Sequence, residues 1–444
     1  MQDLLNRFRS PLTLVLATFV MLSMLGTWKY AEDTPGLDYY VAWVAADSVK
    51  NNNENYIYDP ASSYKLPAHY RNKADEVKGA PRLKRIAAHL QEMYFTATPF
   101  LYLVTATVAV GDYETDLTVW HALSLFMLMT FFTLVCRLLG YPVTTMLAIF
   151  LPIVVWFVPL QSDLRVANVN SFQLGLIGLA IWLQSRGGHS KYLFATGLVV
   201  GLTVMFKPNL APIALMLAGG WLLRHQYSRL ITGISGMLTG ALAAILVSSW
   251  WLGHSNAWLD WLKLMSGFLA VAPNSHGNYS VMRQLTNGLS PPGQLILTLL
   301  LIAAALTLFW WGRRRQSNLF TNLEAQSTDR QSLEDTLLIA TGCIIALMAS
   351  SIVWIHYYLL TIPLLLVLLR PWGAKEQGSF IRVLMQRILP VVAIVLLMDS
   401  AILSLLEMEG REFRTIVAPV YLMMLFVAGM WQLAYGVGKD SPTP

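Results

Sequence analysis

The sequence predicts an all-α, polytopic transmembrane helical bundle of about 12 spans, and three observations carry that expectation. Of 444 residues, 55% are hydrophobic and only 13% are charged. That charge share is about half of what a soluble domain carries, too little polar surface for a water-soluble globule of this size. Apolar runs recur from Leu12 to Ala434, and the mean hydropathy is +0.52. The 15 Trp and 18 Tyr suit aromatic belts at two bilayer surfaces.

The first element follows a short basic stretch, Met1 to Arg9. The run from Pro11 to Trp28 reads as a retained helix, because no small-x-small cleavage site follows it cleanly. Further apolar segments fall near 119–136, 142–160, 171–184, 192–206, 209–223, 230–250, 294–311, 336–352, 357–369, 388–406 and 416–436. Several, notably 171–184 and 357–369, are shorter than the roughly 20 residues of a perpendicular span and must borrow flanking polar residues. The connections Arg186 to Lys191, Arg224 to Arg229, Arg313 to Arg330 and Arg370 to Arg387 are basic, so the positive-inside rule places them in the cytoplasm. Counting the short apolar segment 99–110 as a span would invert every later loop; parity puts it in or along the outer leaflet.

A single integral membrane domain over residues 1–444 results, with two large extracytoplasmic loops, 29–118 and 251–293. In the first, Lys65 to Leu90 mixes charges with spaced apolar residues (Val77, Leu83, Ile86, Leu90), a pattern for helix lying in the interface. The second carries Trp251, Trp258, Trp261 and Tyr279. The net charge of +6 sits mostly in short loops and is a topology signal, not a nucleic-acid surface. Cys136 and Cys343 lie inside apolar runs, which argues against a disulfide framework or a zinc site. No Gly-x-x-x-x-Gly-Lys-Ser/Thr, His-Glu-x-x-His or Gly-x-Ser-x-Gly motif supports a nucleotide cofactor or a hydrolase triad.

Ionisable residues at span ends are costly and invite a functional reading. This topology gathers such a set on the outer side: Asp38; Asp163, Arg165, Asn168 and Asn170; Lys207; His276, Asn278, Ser280 and Arg283; and His356 with Tyr357. Lys, Arg and His can hold a phosphate while a carboxylate takes a proton from an acceptor hydroxyl. Each residue also has a plainer reading. Asp38 would cap a helix starting at Tyr39, Asn168, Asn170 and Ser171 would cap the fourth span, and Lys207 would snorkel at a helix end. Asn278-Tyr279-Ser280 matches a glycosylation sequon, a short pattern frequent by chance. No cluster has metal-ligand spacing, so no metal is assigned; a divalent cation's assistance stays open, with Asp163 and Asp38 as the conceivable pair.

The order of these motifs resembles the C-superfamily (GT-C) polytopic glycosyltransferases. Within them it resembles the polyprenyl-phosphate-mannose-dependent mannosyltransferases of glycosyltransferase family 87. Gly36-Leu37-Asp38-Tyr39-Tyr40 followed by Tyr56-Ile57-Tyr58-Asp59-Pro60 is similar to that family's Asp-aromatic stretch and downstream Tyr-Asp. Phe95 to Leu101 resembles its Tyr-Pro-Pro segment, Asn168-Val169-Asn170 its Gly-Gln-x-Asn, Phe206-Lys207-Pro208 its Leu-Lys-Pro, and Trp354-Ile355-His356-Tyr357 its histidine-aromatic site. Departures are Ala167 in place of Gln, Thr98 in place of the first Pro, and Ile355 where Asp is common.

The resemblance implies an inverting transfer of mannose or a related sugar from a polyprenyl-phosphate donor to a lipid or glycan acceptor, outside the plasma membrane. Asp38 would be the general base, Lys207, His356 and Arg283 would bind the donor phosphate, and Asn168, Asn170, Asn278 and Tyr357 would bind substrate. Membrane lipids, the lipid-linked sugar and the acceptor are the implied partners, with no nucleic acid and no cofactor. A lipid or polysaccharide transporter would place charges near the bilayer midplane in paired repeats, which are not evident. An O-antigen ligase or polymerase would carry its large loop late in the chain, and in a scaffold subunit the outer-face Asp, Lys and His would be incidental.

Overall fold

The computed structural model describes residues 10–51, 56–187, 189–271, 277–286, 290–317, 327–371, 380–398 and 410–435. His276 falls outside them. The described residues form helices and no strand; one isolated antiparallel bridge joins Phe157 to Met398. In chain order the helices are α1 (Pro11–Glu32), α2 (Leu37–Lys50), α3 (Ser62–Glu76), α4 (Pro81–His89), α5 (Pro99–Val108), α6 (Tyr113–Leu138) and α7 (Val143–Trp156). They continue as α8 (Val158–Val166), α9 (Asn170–Ser185), α10 (Ser190–Phe206), α11 (Ala211–Leu223), α12 (Tyr227–Trp251), α13 (Ala257–Val271) and α14 (Val281–Thr286). The last are α15 (Pro291–Ser317), α16 (Ser327–Ala349), α17 (Ile362–Leu368), α18 (Phe380–Val383), α19 (Leu389–Leu396) and α20 (Gly410–Tyr435). Short 3-10 turns, Pro208–Leu210 and Ile355–Thr361, lead into α11 and α17.

Six of these helices, α1, α6, α12, α15, α16 and α20, are long and apolar enough to cross a membrane, and a seventh span results if the bent pair α8–α9 counts as one. The chain is thus a multi-pass membrane protein, with fewer full-length crossing helices than the 12 apolar segments. One departure from the expected segments bears on the site. The run 142–160 does not form one helix, because Phe157 is extended (ψ 102°) and pairs with Met398, while Pro159 starts the next helix. The new helix, α8, carries the polar residues Gln161, Ser162, Asp163 and Arg165 and meets α9 at a bend of 115°. The turn between them passes through Ala167, a left-handed residue at φ 53°.

Two apolar cores hold the body together. The larger one lies among the spans, with Phe131, Trp221, Leu338, Tyr358 and Tyr421 fully buried. The second is aromatic and sits under the 29–118 segment, where Tyr39, Tyr40, Trp43, Tyr70, Tyr113 and Trp120 pack ring against ring. The interfacial pattern expected at Lys65 to Leu90 becomes α3 and α4, with Leu83 and Ile86 facing inward. Between α10 and α12 the backbones touch: a Cβ at Gly197 would lie 2.1 Å from the Gly233 carbonyl oxygen, and one at Gly201 2.3 Å from that of Met237. Small residues permit this approach, as at helix interfaces in lipid. Cys136 and Cys343 are buried free thiols.

The far end of α9 from Asn170, about 20 Å along its axis, is an ionic knot. Arg224, Arg229, Arg313 and Arg330 converge on Glu334 and Asp335, and Gln184 donates to Asp335. These residues come from α9, α12, α15, α16 and the C-terminal cap of α11, so the knot ties five helices at one end of the bundle.

Candidate active site

The opposite end of α9 holds the polar cluster. Gly36, at φ 64°, turns the chain out of α1 into α2, and Asp38 follows in the first turn of α2. A Cβ on Gly36 would meet Leu117 at 2.7 Å and Ala167 Cβ at 3.4 Å. The two left-handed turns that present Asp38 and Asn168 therefore pack against each other, and only glycine fits the first without strain. Trp120 fixes the second turn by donating its Nε1–H to the Ala167 carbonyl at 3.1 Å.

One side of the cluster is the Asn168 amide. Its Nδ2 donates to Asp38 Oδ2 at 2.5 Å, and its Oδ1 accepts from Lys207 Nζ at 2.8 Å. Asn170 completes the other side: its Oδ1 accepts from the same ammonium at 3.0 Å, while its Nδ2 donates to Asp163 Oδ1 at 2.9 Å and to the His356 carbonyl at 3.3 Å. The Tyr357 ring lies under the ammonium, 4.1 Å from Nζ to its centroid. Lys207 is thus held by two neutral amide oxygens and an aromatic face, and among the described residues no carboxylate is within ion-pair range of it. Neutral ligands orient a cation without cancelling its charge, so the charge remains available to an arriving anion.

Asp38 keeps 36% of its side-chain surface, whereas His356 keeps 7%. The carboxylate is therefore the reachable member of the pair. His356 Nε2 stands 3.7 Å from Asp38 Oδ2 and makes no hydrogen bond among the described residues. The protein mass around Asp38 raises its pKa above the usual carboxylate range, opposed by the Asn168 hydrogen bond and the Lys207 charge. Burial draws Lys207 down from the ordinary lysine range, against the pull of Asp163 and Asp38.

The structure brings together Asp38, Asn168, Asn170, Lys207, His356 and Tyr357, six of the eight residues singled out in the sequence. It also corrects their plainer readings. Helix α2 begins at Leu37 with Gly36 as its cap residue, so Asp38 is not an N-cap. The α9 cap residue is Val169, without a side-chain cap, and both asparagine amides are spent on Lys207 and the carboxylates. Lys207 turns under Tyr357 instead of reaching away.

Asn278 and Arg283 stand apart from these contacts. The buried Asn278 amide donates to the Ser351 carbonyl at 2.7 Å and accepts from Val353 N–H at 2.9 Å and Ser280 N–H at 3.1 Å, seaming the second large loop onto residues 351–353. Its nitrogen is enclosed in that seam, poorly placed to receive a glycan. Arg283 is half-buried on α14, its backbone N–H bonded to Ser280 Oγ at 3.2 Å. Sequence reasoning underrated Asp163 and Ser171, whose link spans the bend between α8 and α9. Among the described residues no group of three or more His, Cys, Asp or Glu is placed to hold a metal.

No curated protein and no solved structure matches the chain. The model of glycosyltransferase family 87 matches residues 95–328, which include Asp163, Asn168, Asn170 and Lys207. Asp38, His356 and Tyr357 lie outside the matched stretch and are tied to it by the contacts above. Because the match covers more than half of the sequence, the chain belongs to glycosyltransferase family 87 and is a membrane glycosyltransferase.

Proposed function

We propose that this glycosyltransferase moves a hexose, mannose or a close relative, from a polyprenyl-phosphate carrier to a lipid or glycan acceptor, with inversion at the anomeric carbon. Asp38 takes the proton of the acceptor hydroxyl as that oxygen bonds to the anomeric carbon, and the bond from that carbon to the phosphate oxygen breaks. The departing phosphate gains one negative charge, so it needs a cation more than a proton. Lys207 is that cation, and His356 Nε2 offers a hydrogen bond to the phosphate or the acceptor. Asn168 couples the two centres, since a single amide touches both Asp38 and Lys207. Asn278 and Arg283 have no step assigned to them.

The observation that carries this reading is a partly exposed carboxylate and an ammonium ligated only by neutral groups, on either side of one asparagine. The proposal includes the twelve-segment topology: the short apolar helices complete their crossings alongside longer neighbours, and the cluster faces outward across the plasma membrane. Nucleotide sugars are cytoplasmic, so an outward site requires a sugar already carried across on lipid, with the apolar flank of the bundle receiving the carrier's tail. The reaction calls for no cofactor beyond that donor.

Purified protein given radiolabelled polyprenyl-phosphate mannose and a glycolipid acceptor should transfer label, whereas the nucleotide sugar in its place should give none. Transfer from the nucleotide sugar alone, or movement of the lipid without transfer, would contradict the proposal.

A further inference from the structure

We propose that Asp163 is a positioning residue for the transfer. It locks the Asn170 amide with its oxygen on Lys207, and it holds a negative charge one amide away from that ammonium. The inference rests on the reading of Lys207 as the phosphate-binding cation.

Asp163 is 1% exposed and lies on α8, bonded to Asn170 and Ser171. Its Oδ1 accepts from Asn170 Nδ2 at 2.9 Å; its Oδ2 accepts from Ser171 Oγ at 2.6 Å and from Ser171 N–H at 3.3 Å. Three donors converging on two oxygens, with the Lys207 charge nearby, favour the ionised carboxylate against the burial that opposes it. An asparagine side chain has one donating and one accepting end. Committing the Asn170 donor to Asp163 leaves only the oxygen for Lys207, where it is found at 3.0 Å. Asn168 repeats the logic, its donor on Asp38 and its oxygen on the same ammonium.

Two carboxylate–amide–ammonium relays therefore meet at Lys207, one ending in the reachable Asp38 and the other in the sealed Asp163. They differ in what the reaction does to them. When Asp38 accepts a proton it loses its charge, and its support of Lys207 weakens at the moment the phosphate departs. Asp163 has no access to the acceptor, so its relay persists through the cycle. Placing an amide between the two charges also keeps Asp163 from forming a direct ion pair that would neutralise Lys207. A helix-capping role alone would require only the bond to Ser171 N–H and would leave the Asn170 bond without purpose.

The test is binding of a short-chain polyprenyl phosphate to the purified full-length protein in lipid nanodiscs, from neutral into alkaline pH. The charges acting on Lys207 are Asp38 on α2 and Asp163 on α8; Tyr357 and His356 stand beside it on the 355–361 turn, and Arg165 on α8 acts on His356. Asp163→Asn keeps the volume and removes the charge; it should weaken binding roughly tenfold or more and move its alkaline fall-off to lower pH. Ser171→Ala removes one bond to Asp163 without altering charge or relay, and should keep binding within about twofold of wild type. A folded Asp163→Asn protein with wild-type affinity and fall-off overturns the inference. Should that variant fail to fold, Asn170→Ala, which breaks the relay at its middle, must reproduce the affinity loss; unchanged binding there overturns the inference equally. Lys207→Met binding as tightly as wild type overturns the phosphate reading and this inference with it.

Discussion

Lys207 sits where a chain leaves one apolar helix and enters a short turn, a position at which lysine ordinarily reaches for water. Here two amide oxygens and the Tyr357 ring hold it instead. The proposed transfer requires Asp38 deprotonated and Lys207 protonated. Activity therefore rises with pH through a raised Asp38 value and falls with pH through a lowered Lys207 value. The rate profile should be a bell narrower than ordinary Asp and Lys would give. Lys207→Arg should carry its alkaline limb to higher pH, because a guanidinium stays charged there. A flat profile, or an alkaline limb that Lys207→Arg leaves in place, would contradict this pairing. Six of the residues that cluster here were legible in the sequence because each stands at or near the end of an apolar run, and the expected topology puts those ends on one side. Asn278 was assigned by the same rule, and its amide is taken up by Ser351 and Val353. Sidedness cannot say where residues of a long loop pack, and the Asn278 partners Ser351 and Val353 lie more than seventy positions away.

Among the elements, most apolar runs foretold helices within a few residues of their bounds; 336–352 falls in a helix that starts at Ser327, 357–369 is a 3-10 turn followed by a short helix, and 399–406 lie outside the described residues. The break at Phe157 and the bend into α9 were not legible, because they depend on pairing with Met398 and on the left-handed turn at Ala167. That break shapes the site, for it swings Asp163 and Asn168 onto the α9 terminus. The ionic knot at the other end of α9 has a different task. Arg224 and Asp335 have side chains 1% and 0% exposed, and Asp335 also serves Arg229 and Gln184. Removing one partner of such a buried pair costs roughly 3–5 kcal/mol, because the other charge is left without compensation. Asp335→Ala should therefore lower the thermal midpoint of the purified protein by several degrees, as read by intrinsic tryptophan fluorescence. An unchanged midpoint would show that the knot does not hold these five helices together.

The whole molecule separates its two polar centres along the bundle, one clamped by ion pairs and the other left with an unneutralised cation and a reachable carboxylate. On the proposed function, the first end serves stability and the second the transfer, and the apolar body between them receives a lipid-linked substrate. The central claim is that Asp38 is the base of an inverting transfer. It is tested most directly by comparing wild type and Asp38→Asn in single-turnover transfer from a radiolabelled polyprenyl-phosphate sugar, with donor binding measured on the same preparations. Asp38→Asn should bind donor nearly as wild type does while its transfer rate falls about 100- to 10,000-fold, the usual worth of general-base assistance. Transfer at the wild-type rate by that variant would contradict the assignment of Asp38.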